Sequence, residues 1–432
     1  MPTASPSSSP AVAPSTPSPA PSAAPAGALG PSLELGALRR MSQEELCHTA
    51  EKLGVDDARE LRKGDLVLAV LEAHADRRGE THAEGVLEVL TDGFGFLRNA
   101  DAQFAPGADD VYVSPSQIRR FGLRTGDVVR GTVRAPKESE RYFALLRVEL
   151  VEGGPADQHP HRVDFDLRPV TPPHQRLRLD GATPAVRAGE LYAPLGLGQR
   201  VLLKAPPRAG KSALLGQLTR ALVEHHPHAE VTLVAIDVRP EDAPELGRGL
   251  GAHAAVSTLG EPAARHVQLV EMVVERGKRA AERGDHAIVV IDSLGRLARA
   301  WNLVLPASGR TLIGALDAAA ITRVRRLWAS ARQLANGGSL TLIATLTTDS
   351  GQRVDEVLAD ELAETASAEW VLARGGTAEA PRFDVAATFS RQGEALVDDP
   401  IAWRRAAAAP LDRVAAAAAT APDLPSLIAA LA

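Results

Sequence analysis

The segment Ala205-Pro-Pro-Arg-Ala-Gly210-Lys211-Ser212 follows the apolar run Val201-Leu-Leu-Lys204 and precedes a helical pattern that opens at Lys211. A glycine-containing loop between a strand and a helix can cradle phosphate. Its backbone N–H groups and the helix N-terminus face the anion, the lysine reaches the β and γ oxygens, and the next hydroxyl takes a place on Mg2+. Lys211 and Ser212 hold those two positions, with alanine at 205 where the usual pattern has its first glycine. The same cation needs a carboxylate. Asp292 supplies one at the tip of Ile288-Val-Val-Ile-Asp292, where a strand end can present it to the metal. ATP and Mg2+ are the expected ligands, with Lys211 and Asp292 catalytic and Ser212 and Asp292 on the metal.

A second chemistry lies upstream. Of 15 aromatic residues, seven fall between Phe94 and Phe143, and Tyr112–Arg147 carries eight Lys/Arg against three Asp/Glu, a local charge of +5 on a chain of formal net charge −6. Aromatic faces stack bases at ~1–3 kcal/mol each, and arginines track phosphates. Strand alternation sets Phe94 and Phe96 on one face and parts Tyr142 from Phe143, so some of these rings face outward. Single-stranded nucleic acid is the ligand this stretch expects.

Positioning such groups takes several domains, and 432 residues suffice for about three. The first 33 residues hold nine prolines and no charge, so 1–37 reads as a disordered Pro/Ser/Ala tail. Ser42-Gln-Glu-Glu45 fits a capping box, and leucines and valines at helical spacing follow, so 38–80 reads as a small helical bundle. Five short strand patterns and the turn Thr91-Asp-Gly93 make 81–152 an OB-like β-barrel. Residues 153–190 read as an irregular connector. From 191 to 432, apolar strands at 201–204, 231–236, 287–291 and 340–344 alternate with helices, among them 267–283 and 316–336. Strands buried on both faces mean a parallel sheet sandwiched by helices, and the alanine-rich end from 406 reads as a weakly specified helix.

Composition removes other classes. One cysteine, Cys47, leaves no disulfide framework and no CxxC zinc site. No run of 18 apolar residues appears, and the N-terminus lacks the basic and apolar regions of a secretory signal. A soluble, cytoplasmic protein with no membrane partner is expected.

Several longer blocks resemble the bacterial transcription termination factor Rho family: Gly85–Arg98, Asp110–Phe121, Lys137–Leu146, the 205–212 loop, Glu261–Gln268, Asp292–Ala300 and Pro306–Arg310. The resemblance spans about residues 40–395 and implies a homo-hexamer of RecA-like ATPase domains. Such a ring binds nascent single-stranded RNA, translocates on it with RNA-dependent ATP hydrolysis as a helicase, and releases transcripts from the RNA polymerase elongation complex. It implies a primary RNA site at Gly93, Phe94, Gly95, Phe96, Leu97, Arg98, Asp110, Val111, Tyr112, Glu140, Arg141 and Tyr142, with Arg98 meeting phosphate. A second RNA site in the ring's channel would use Arg310 and Arg353. The implied ATP site comprises Gly196, Leu197, Gly198, Gln199, Arg200, Val201, Arg208, Ala209, Gly210, Lys211, Ser212, Ala213 and Arg239, with Phe383 stacking on adenine. Three positions depart from the family pattern. Arg208 stands for a lysine. Val238 stands where a glutamate polarises the attacking water. Arg391-Gln-Gly393 is followed by Glu394-Ala-Leu396, without the arginine finger expected there. The nearest substitute carboxylates are Glu241 and Asp242, beyond the Arg239-Pro240 step, and Glu241 is the one expected to reach the site. The alternative reading is an RNA- and ATP-binding ring paralogue with weak or no hydrolysis.

Overall fold

The computed structural model describes residues 32–76, 80–107, 110–137, 140–309, 316–377 and 380–432. The chain opens with strand β1 (Ser32–Glu34) and helices α1 (Leu35–Arg40), α2 (Gln43–Lys52) and α3 (Lys63–Asp76). The capping box forms as read: the Glu45 N–H donates to Ser42 Oγ at 3.3 Å, and the Ser42 N–H donates to the Glu45 carboxylate at 2.7 Å. Leu35, Leu38, Leu46 and Leu66 bury against the barrel that follows.

That barrel holds β2 (Glu80–Val89), β3 (Gly95–Arg98), β4 (Val111–Val113), helix α4 (Pro115–Phe121), β5 (Val128–Arg134), β6 (Phe143–Val151) and the short β7 (Gly154–Pro155). The strand order is β1-β2-β3-β4-β6-β5, and β2 also pairs with β5, closing the sheet. Helix α4 has no counterpart in the strand-only reading. Ser114 caps it in a second capping box and Gly122 ends it at φ 58°.

The connector is not loose. Phe165 is fully buried in the core of the following domain. Strand β8 (Val170–Thr171) joins its sheet, and α5 (Pro184–Tyr192) packs beneath it. Next come β9 (Arg200–Ala205), α6 (Lys211–His225), β10 (Ala229–Val238), α7 (Ala243–Leu250), β11 (Ala254–Thr258), α8 (Ala263–Arg283), β12 (His286–Asp292) and α9 (Leu294–Val304). Helix α10 (Ala318–Trp328), β13 (Arg332–Leu334), β14 (Ser339–Thr347), α11 (Arg353–Ala363), β15 (Ala368–Val371) and β16 (Phe389–Ser390) complete the sheet. Its order is β11-β10-β12-β14-β9-β15-β16, parallel except for β16. Helices α8 to α11 cover one face. The other carries α5, α6 and the C-terminal α12 (Pro400–Ala407), α13 (Leu411–Thr420) and α14 (Leu424–Leu431).

Two expectations change here. The helix read over 316–336 stops at Trp328, because the chain reverses at Gly337 (φ 97°) and lays Arg332–Leu334 antiparallel to β14. The alanine-rich end is two helices rather than one. Pro422 interrupts it, and Asp423 restarts α14 by accepting from the Ser426 N–H at 2.8 Å.

Candidate functional site

The carboxyl ends of β9, β14, β12 and β10 converge at one edge of the sheet, where open α/β folds place their ligands. Beyond β9, Arg208 (φ 64°) and Gly210 (φ 84°) turn the chain through left-handed conformations into α6. Glycine takes that conformation without steric cost, whereas Arg208 holds strain of the kind found at ligand-gripping loops. Helix α6 starts at Lys211, so its unpaired first-turn N–H groups face the loop. Ser212 Oγ lies 3.0 Å from one oxygen of Asp292, and Thr345 Oγ1 donates to the other at 2.6 Å. Thr345, on β14, thus fixes the carboxylate, a role the sequence did not reveal. The oxygen pair from Ser212 and Asp292 is the donor set a hydrated Mg2+ takes from a protein.

A cavity of about 540 Å3 opens beside this pair, and Val238, Arg239, Asp242, Glu245 and Arg296 line it with Ser212 and Asp292. Asp237 sits at φ 52° in a bulge of β10, which leaves Asp237 exposed and turns Val238 inward at 5% exposure. Valine offers no hydrogen-bond acceptor there. Glu241, the expected substitute, is exposed and does not line the cavity; its neighbour Asp242 does.

Other expected nucleotide contacts lie elsewhere. Gly196, Leu197, Gly198 and Gln199 form the turn entering β9, and Arg200 and Val201 are its first residues, at the opposite end of that strand from the phosphate loop. Six residues of strand separate the two by about 20 Å. These residues are structural: Leu197 and Val201 are core, Gln199 is fully buried and accepts from the Gly196 N–H at 2.9 Å, and Arg200 donates to the Thr365 carbonyl at 2.7 Å. Phe383 is 5% exposed and packs 5.6 Å from the Tyr192 ring and 6.0 Å from Trp370, so it belongs to the core and not to an adenine platform. Ala209 is buried, while Ala213 and Arg239 line the cavity. Arg391 donates to the Glu364 carbonyl at 2.7 Å, and the 3-10 turn Gly393–Leu396 after it contains no arginine.

On the barrel, the pairing Phe96↔Tyr112 between β3 and β4 sets aromatic rings side by side. Ring centroids lie 5.6 Å apart for Phe94 and Tyr112, 5.8 Å for Phe94 and Phe96, and 4.8 Å for Phe96 and Tyr142. Phe94, Tyr112 and Tyr142 stay partly exposed, whereas Phe143 is buried inside the barrel, as alternation requires. A groove of about 610 Å3 runs alongside, lined by Tyr112, Tyr142, Arg134, Arg141, Glu140 and the exposed Leu146, with Ser116 and Gln117 of α4. Arg141 lies over the Tyr142 ring at 5.6 Å. Glu140 receives Arg134 at 2.8 Å, and that guanidinium, helped by the Lys137 N–H, holds its carboxyl at about 2. Arg134 and Leu146 escaped the sequence reading because they come to the groove only through the β5 and β6 pairing, and α4 because Gln117 reaches it by donating to the Leu145 carbonyl of β6.

Arg98 does not meet solvent. Its side chain is 7% exposed, bonds Glu88 at 2.6 Å, pairs with the buried Asp110 and braces Phe96 from 4.9 Å. Two carboxylates already satisfy its charge, so the expected phosphate contact gives way to a structural one. Gly95, Leu97 and Val111 are likewise buried, and Gly93 (φ 84°) makes the turn before them. Phe104, one of the seven clustered aromatics, is buried in the core of the nucleotide domain. Arg353 is exposed at the start of α11; Arg310 lies outside the described residues. No helix among the described residues is long and apolar enough to cross a membrane.

Comparison with known proteins matches three family models: the Rho termination factor N-terminal domain over residues 37–79, the Rho termination factor RNA-binding domain over 83–157, and the ATP synthase alpha/beta family nucleotide-binding domain over 185–390. The chain is 44% identical over 349 residues to transcription termination factor Rho of Buchnera aphidicola subsp. Schizaphis graminum, covering 79% of this chain and 83% of that one. With the protein of the same name from Escherichia coli K12 the identity is 43% over 349 residues, with the same coverage. With that of Cereibacter sphaeroides it is 40% over 373 residues, covering 85% of this chain and 88% of the relative.

Proposed function

Because the chain belongs to the transcription termination factor Rho family, we propose that its barrel groove grips single-stranded RNA while its phosphate loop hydrolyses ATP to move along that RNA and release transcripts from RNA polymerase. It is an RNA-binding, ATP-hydrolysing enzyme of transcription termination. The observation that carries the finer reading is the pairing, in one chain, of a partly exposed aromatic cluster with a strand-tip carboxylate 3.0 Å from the phosphate-loop hydroxyl.

Each group then has a task. Tyr112, Tyr142 and Phe94 stack on bases, and Arg141 meets the backbone. Lys211 and the first turn of α6 bind the β and γ phosphates. Ser212 and Asp292 would hold Mg2+, which screens the charge that develops on the transferring phosphoryl group. Arg353 faces RNA in the channel of a six-membered ring.

A slower motor is favoured by two observations, the inward Val238 and the arginine-free turn after Arg391. An arginine finger alone is worth ~10³–10⁵ in rate, so a ring paralogue with weak hydrolysis is the second reading.

The separation of the two sites gives the test. Lys211→Ala should abolish phosphate release and leave poly(C) affinity within about twofold, because the stacking groove lies on another domain. An equal loss of RNA affinity would contradict the assignment.

A further inference from the structure

We propose that Asp242 is the carboxylate that orients the attacking water, in place of the acceptor that position 238 lacks. The inference rests on the ATP-hydrolysing reading of this same site.

The geometry around the end of β10 selects Asp242 over its neighbours. The bulge at Asp237 turns that carboxylate out to solvent and Val238 in. Pro240 then redirects the chain, and the turn closes where the Asp242 N–H donates to the Arg239 carbonyl at 3.0 Å. The Asp242 carbonyl in turn accepts the Leu246 N–H at 3.2 Å, so Asp242 stands at the N-cap of α7. A cap residue projects from the helix end, here into the cavity that also exposes Ser212, Asp292 and Arg296. Glu241, one residue earlier, does not line it. Glu245 shares the cavity but sits one turn further along α7, about 5 Å deeper toward Leu246, Gly249 and Leu250.

The chemistry balances with water alone. The water oxygen bonds to the γ phosphorus as the bond to the β–γ bridging oxygen breaks. ADP departs with that electron pair. The proton lost by water passes to an Asp242 oxygen and returns to solvent once phosphate leaves. Arg239 and Arg296, lining the same cavity, face the charge that gathers on the phosphoryl oxygens.

The test uses the full-length chain with saturating ATP and poly(C), measuring both phosphate release and equilibrium ATP affinity. Asparagine caps helices as well as aspartate does, so Asp242→Asn keeps α7 and removes only the base. It should lower kcat by about 100-fold while ATP affinity stays within about twofold. Glu241→Gln should leave both unchanged. Adding Val238→Glu to the Asp242→Asn chain should recover part of the rate, a rescue that a merely structural role for Asp242 would not give. Unchanged turnover in Asp242→Asn overturns the assignment, as does a loss that Glu241→Gln reproduces. A wild-type chain that binds ATP and releases no phosphate, with or without RNA, overturns instead the hydrolytic reading on which the assignment stands.

Discussion

Tyr112 and Tyr142 flank the barrel groove and stay partly exposed, and stacking on such a ring releases no counterions. Tyr142→Ala should therefore weaken single-stranded RNA binding by roughly 5- to 150-fold, with an unchanged slope of affinity against salt in filter binding. A flattened slope would mean that the ring was ordering a phosphate contact instead. Arg98 behaves oppositely. Its removal takes from Glu88 and the buried Asp110 the guanidinium that bonds both, so Arg98→Ala should destabilise the barrel by about 3–5 kcal/mol, seen as a lower midpoint in thermal circular dichroism. An unchanged midpoint with a shallower salt slope would return Arg98 to the RNA backbone. Residue types alone pointed to the loop at 205–212, to Asp292 and to the aromatic cluster, because strand, loop and helix follow one another locally. They could not separate Arg98 from Arg141. Partners 10 and 12 residues away decide which arginine is neutralised, and that is a property of the fold.

Among the elements, α5 shows how much a connector can carry. Its Glu190 is fully buried with Oε2 unpartnered, and burial pushes the carboxyl up to about 8 although Arg176 lies 3.2 Å away and pulls it down. Below its ordinary value of 4.5 the group is protonated in both states, and between 4.5 and about 8 the unfolded chain alone gives up its proton. Stability falls across that window by up to about 1.4 kcal/mol per pH unit. Glu190→Gln should remove the slope and raise the unfolding midpoint at pH 7.5 but not at pH 4.5; equal midpoints at both would show that Glu190 ionises normally. Nothing in the irregular, proline-bearing sequence of the connector announced this docking. The sheet strands were legible because an apolar run buried on both faces looks alike wherever it occurs. Strands β8 and β13 were not, being two and three residues long and paired only with each other and with β14.

At the scale of the molecule, barrel and nucleotide domain are joined along α8 rather than merely tethered. Glu152, at the end of β6, accepts from Arg276 at 2.7 Å and pairs with Arg283, and both arginines reach Glu230 of β10 at 2.7 and 2.9 Å. Further along, Arg124 of the barrel bonds Glu282 at 2.8 Å. Gly126 packs so tightly that a Cβ there would lie 2.5 Å from the Glu275 backbone. Helix α8 in turn packs against β10, β12 and β14, whose carboxyl ends meet at the nucleotide site. Glu152→Gln should cost about 2 kcal/mol of stability and reduce RNA stimulation of ATP hydrolysis while leaving poly(C) affinity unchanged; stimulation equal to wild type would mean that coupling runs by another route. If this chain turns RNA binding into ATP hydrolysis despite valine at 238 and the arginine-free turn, steady-state phosphate release at saturating ATP, with and without poly(C), will show it. A slow basal rate that poly(C) raises several-fold is the expected result, and a rate indifferent to poly(C), or absent in its presence, would contradict it.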